Sequence, residues 1–150
     1  MRFQLNPITI LVSLLFLMFF ASAHTVHCAG KALAANKHDL DDAIKYLHRM
    51  AEGKLSRYTP GDMKVVELGS NSCEQLVCYK NVEVRWCNED PYDPRTMKTI
   101  HIAEGATVLR DECGDTYKGH GVAGGYLTHP DKWAVIVQEP SKCDDESYHG

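Results

Sequence analysis

The sequence of 150 residues has no excess of positive charge: sixteen Lys and Arg stand against twenty Asp and Glu, a formal charge of −4 with His neutral. That balance excludes nucleic acid as the expected partner, because holding phosphates needs a basic face. No internal repeat or low-complexity tract occurs, so a repeat array is excluded. There is no G-x-S-x-G, no H-E-x-x-H and no lone cysteine nucleophile, which leaves the usual hydrolase chemistries without a signature, and no enzyme is expected. Paired C-x-x-C spacing is also missing, which removes the common structural zinc site. No N-x-S/T glycosylation site is present; Asn71-Ser72-Cys73 has only the cysteine variant. The one long apolar run, Ile8 to Phe20, is shorter than the ~20 residues that span a bilayer, so no membrane anchor is expected.

What is present begins with that run. Arg2 precedes it and Ala21-Ser22-Ala23 comes after it, the layout of a secretion signal over residues 1–23 with an A-x-A cleavage site. Cleavage there leaves His24 first and removes Arg2 but no acid, so the formal charge becomes −5. A secreted, extracellular protein is expected. In an oxidising compartment the even set Cys28, Cys73, Cys78, Cys87, Cys113 and Cys143 pairs into three disulfides, each contributing about 2–4 kcal/mol. Six cysteines permit about 15 connectivities, and spacing does not choose among them. Residues 24–143 suit a single domain, with a polar, acidic and flexible tail at 144–150. No cofactor is implied, and oligomeric state is not encoded in any pattern found.

Periodicity gives the elements. Leu40, Ala43, Ile44, Leu47 and Met50 recur at helical spacing, with acids at Asp39, Asp41 and Asp42 and a stop at Gly53. Met63–Leu68 and Gln75–Tyr79 read as strands around the turn Gly69-Ser70-Asn71-Ser72. Val82 to Cys87 alternates, which places Val82, Val84 and Trp86 in the core and Glu83 and Arg85 in solvent. A second helix is expected from Ile102 to Cys113, then a hairpin of Val122–Thr128 and Trp133–Gln138. Because Ala134 and Ile136 are apolar as well, the last strand is expected at the centre of its sheet. The sum is an α+β fold, a two-layer αβ-sandwich with two helices on one face of an antiparallel sheet.

The order Cys78, Val82-Glu83-Val84-Arg85-Trp86, Cys87-Asn88-Glu89-Asp90, a helix ending in Cys113, Gly124-Gly125, Trp133-Ala134-Val135-Ile136-Val137 and Cys143 resembles small secreted fungal proteins related to the killer toxins of smut fungi. Val26-His27-Cys28-Ala29-Gly30 is similar to the opening cysteine element of that family, without its usual serine and second cysteine. The resemblance implies a disulfide-stabilised αβ-sandwich, a Cys28–Cys113 bridge, and an effector or toxin-like protein that binds a host or competitor protein or cell-surface molecule. The channel-blocking members are basic and this chain is acidic, so a host-directed effector or an antagonist of competing microbes is the expectation.

Candidate recognition residues lie in the loops Tyr58–Asp62, Asn88–Arg95 and Thr116–Gly121, with Tyr58, Tyr92, Tyr117 and Tyr126 as aromatic contacts. Asn88 to Pro94 carries calcium-type oxygens without EF-hand spacing, and reads as a turn. Glu104 and Asp111 read as solubilising carboxylates on a helix face. The sharpest alternative is copper: a free amine and imidazole at His24, with His27, His101, His120 or His129, would form a site like the histidine brace of fungal oxidative polysaccharide enzymes. A cell-wall or developmental role is the third alternative.

Overall fold

The computed structural model describes residues 24–54 and 64–142. The signal at 1–23, the candidate loop Tyr58–Asp62, Met63, Cys143 and the tail at 144–150 lie outside the described residues. Ten strands and two helices occur within them: β1 (Thr25–Cys28), β2 (Ala35–Asn36), α1 (Lys37–Ala51), β3 (Val65–Leu68), β4 (Ser72–Tyr79), β5 (Val82–Asn88), β6 (Arg95–Lys98), α2 (Thr99–Glu112), β7 (Asp115–Tyr117), β8 (His120–Ala123), β9 (Gly125–His129) and β10 (Trp133–Gln138). The class is α+β with antiparallel sheets. Strands β1, β2, β6 and β7 carry no period strong enough to appear in the sequence reading.

Helix α1 starts two residues before the first acid of its sequence pattern. Asn36, in extended conformation, caps it by accepting from the backbone N–H groups of His38 at 2.9 Å and Asp39 at 3.3 Å. It ends as the sequence implies: Gly53 takes φ +68°, and the Gly53 and Lys54 amides fold back onto Met50 and Arg49 carbonyls. The stripe Leu40, Ala43, Ile44, Leu47, Met50 is buried, and each fully buried leucine contributes about 1.5–3 kcal/mol. Helix α2 begins at Thr99 and not at Ile102, because Ile100-His101-Ile102 winds into its first turn despite its extended-looking alternation. It buries Ile102, Ala103, Ala106 and Leu109.

The main sheet has the order β1-β9-β10-β5-β4, so β10 is central. Val26, Leu127, Val135 and Trp86 fall in one row across it, the register pairing Val26 with Leu127, Leu127 with Val135 and Val135 with Trp86. The two helices pack on each other; α2 also packs on β10, and α1 on β5. At Gly105 a side chain would stand 2.9 Å from Val135 Cγ2, so glycine permits that close approach.

Two sequence expectations are corrected. Val122–Thr128 is two strands, broken at Gly124: β8 joins a three-stranded sheet with β2 and β7, while β9 stays in the main sheet. Glycine permits the close approach at the break, since a Cβ at Gly124 would lie 2.5 Å from the Val137 carbonyl oxygen. Glu83 is not in solvent. It is 1 % exposed and accepts from the side-chain amides of Gln75 and Gln138 and from Arg85 Nε at 3.1 Å. Gln75 also donates to the Lys142 carbonyl at 3.1 Å, so the chain after β10 passes over the polar face and shields it. A buried carboxylate is tolerable only with such a set of donors.

Cys28 bonds Cys113, the pairing implied by the resemblance, and ties β1 to the end of α2. Cys73 bonds Cys87 across β4 and β5. Cys78 is disulfide-bonded too, and no described cysteine is free. Among the described residues no helix is long and apolar enough to cross a membrane.

Candidate binding site

Strand β5 runs out at Asn88, and that side chain organises the loop leading to β6. Its Nδ2 donates to the Gly69 carbonyl at 2.9 Å and to the Asp93 carbonyl at 2.8 Å, while its Oδ1 accepts the Asp90 amide at 3.1 Å. Asp90 continues the network: Oδ1 accepts from the Tyr92 amide at 3.0 Å and the Asp93 amide at 3.3 Å, and Oδ2 binds the Lys132 ammonium at 3.0 Å. The Tyr92 amide first, then Lys132, pull the Asp90 carboxyl down to about 2. The Asp90 carbonyl accepts from the Asn71 amide at 2.7 Å, and the Glu89 carboxylate accepts the Tyr126 hydroxyl. Glu89 and Asp90, the two nearest calcium-type acids, are therefore already occupied by donors from the protein.

This loop, fixed on every side, carries Tyr92 at 83 % exposure. It is the one exposed tyrosine among the described residues; Tyr117 and Tyr126 are half-buried, and Tyr58 lies outside those residues. The expected loop Thr116–Gly121 is mostly strand: Thr116 pairs with Gly121 and Tyr117 with His120, around a two-residue turn with positive φ at Lys118 and Gly119.

Beside the Tyr92 loop lies a cleft of about 560 Å³. One wall is the α2 stripe His101, Glu104, Gly105 and Val108, residues that share a helix face by their spacing. The main sheet contributes Leu127, His129 and Trp133, with Asp131 in the β9–β10 turn, and β6 contributes Arg95 and Met97. Arg95 Nη2 donates to the Asp131 carbonyl at 2.5 Å and so joins β6 to that turn. His101 Nδ1 stands 3.0 Å from Glu104 Oε2. His129 Nδ1 accepts the Asp131 amide at 3.1 Å, and its ring stacks on Trp133 with centroids 4.7 Å apart.

Of the copper candidates, His24, His101 and His129 line this cleft together. His27 does not; it sits opposite Tyr126 in the sheet register and stacks on that ring at 6.4 Å. His120 is on β8, outside the cleft lining. Among the described residues no group of three or more His, Cys, Asp or Glu side chains is placed to hold a metal ion. Glu104 and Asp111 are exposed, as the helix pattern implies, and Asp111 pairs with Arg110 at 2.8 Å, which lowers its carboxyl.

The cleft was out of reach of sequence reasoning because its lining comes from well-separated segments, and the only signal was the histidine at position 24. Comparison with protein-family models, with curated proteins and with solved structures yields no match. The functional reading therefore stands on the site itself.

Proposed function

We propose that this chain is a secreted recognition protein, an αβ-sandwich similar to the killer-toxin-like effectors of fungi, that binds a host or competitor protein or cell-surface molecule through the Asn88–Arg95 loop. Its two helices lie on one face of the main sheet in this reading. One observation carries the proposal: an almost fully exposed tyrosine stands on a loop whose amides, carbonyls and acids are held by internal bonds. Ordering a loop beforehand removes a cost that binding otherwise carries, and tyrosine is among the commonest energetic anchors of interfaces. The disulfides support an extracellular setting.

The test uses the fluorescently labelled secreted protein on intact host and competitor cells. Tyr92→Ala is expected to weaken binding by about tenfold or more while leaving the thermal midpoint unchanged. Equal binding by Tyr92→Ala and the unaltered protein overturns the reading.

A further inference from the structure

The cleft beside the Tyr92 loop differs from it in one respect: its cation has no carboxylate. Arg85 and Arg110 bind carboxylates at 3.1 and 3.0 Å. Among the described residues Arg95 binds only the Asp131 carbonyl, and its Nε is closed off from solvent with no acceptor there. A buried N–H without an acceptor is unfavourable, and a guanidinium stays charged at any physiological pH.

Charged and titratable groups face this site from four directions: His24 ahead of β1, Arg95 on β6, His101 and Glu104 on α2, and His129 at the end of β9 with Asp131 in the turn after it. Each carboxylate already lies beside an imidazole, Glu104 at 3.0 Å from His101 and Asp131 at 3.3 Å from His129. Neither carboxylate forms an ion pair with Arg95, so among the described residues its guanidinium keeps its charge without a counter-ion. Much of the rest of the lining is apolar: Met97, Val108, Leu127 and the Trp133 ring. A volume of about 560 Å³ is that of a small-molecule site.

We infer that this cleft binds a small organic carboxylate, with the carboxylate on Arg95 and an apolar body against Trp133, Leu127 and Val108. A carboxylate makes a charge-assisted hydrogen bond to the guanidinium, stronger than the one Arg95 makes to the neutral Asp131 carbonyl. Tyr92 takes no part in this binding.

The probe is benzoate, with benzyl alcohol as its uncharged counterpart and inorganic phosphate as an anion without an apolar body, added to the secreted protein. The indole N–H resonance of Trp133 reports binding, and that of Trp86, fully buried, is the internal control. Benzoate is expected to shift Trp133 saturably, with affinity about tenfold higher than that of benzyl alcohol. Benzyl alcohol and phosphate bind more weakly. Arg95→Gln abolishes the shift and Arg95→Lys keeps part of it, while the difference between benzoate and benzyl alcohol on the unaltered protein tests the inference even if the Arg95 variants fail to fold. A missing benzoate response or equal binding of benzyl alcohol overturns the inference. So does zinc perturbing the imidazoles at about pH 7.5 while benzoate is silent, which assigns the cleft to a metal. Tyr92→Ala is expected to bind benzoate as the unaltered protein does, so the two readings fail separately.

Discussion

The Asn88–Arg95 loop and the cleft next to it use similar residue types to opposite ends. In the loop, Asp90 meets two backbone amides and Lys132, Glu89 meets Tyr126, and Asn88 satisfies two carbonyls. In the cleft, Arg95 has a carbonyl where a carboxylate would fit, and the imidazoles of His101 and His129 are held at Nδ1. Polar groups consumed by the fold build a rigid platform, whereas polar groups left over define what a ligand must supply. The first region therefore presents a shape and the second a chemistry.

The largest way to break this contrast is through the disulfides, which brace the two regions unequally. Cys28–Cys113 spans 85 residues and holds β1, next to His24, against α2, while Cys73–Cys87 spans 14 and sits just ahead of Asn88. By loop closure the first contributes about 4.6 kcal/mol and the second about 3. Denaturant unfolding of the two double Cys→Ala variants is expected to show the Cys28/Cys113 variant as the less stable by about 1.5 kcal/mol. Next in size, Asn88→Ala strands the Gly69 and Asp93 carbonyls and is expected to cost about 2–3 kcal/mol of unfolding free energy, disordering Tyr92 without touching the cleft.

The sequence made the two regions unequally legible. The α1 stripe and the alternation of β5 and β10 were readable because their contacts recur with a fixed period. Glu83 defeated the same rule, since alternation assigns a face but not what later covers it, and the cover here is backbone at Lys142. The break at Gly124 was likewise invisible without the neighbouring Val137 carbonyl. Asn88-Glu89-Asp90 could be seen as a turn, because Asn and Asp bond their own backbone within a few residues. No local pattern predicts that His24, Arg95, His101 and His129 meet, because topology alone assembles them.

Smaller effects sharpen the cleft and the loop in turn. Gly105→Ala gains about 1 kcal/mol of helix propensity but forces Val135, which is expected to leave a net loss of about 1 kcal/mol in thermal unfolding and a narrower cleft. Smallest is the acid response of Asp90. Its carboxyl is depressed from 3.8 to about 2, so its contribution is present above the ordinary value and is lost as pH falls through the folded one. The stability difference between the unaltered protein and Asp90→Asn is therefore expected to shrink between about pH 4 and about pH 2, measured by thermal midpoints.

Amide hydrogen exchange at Tyr92 and Asp93 tests the platform most directly, since both amides donate to Asp90 on a loop that is otherwise in solvent. Exchange slowed about a hundredfold or more relative to an unstructured chain is the expected result. Exchange at the unstructured rate contradicts it, and with it the claim that Tyr92 is held ready for a partner.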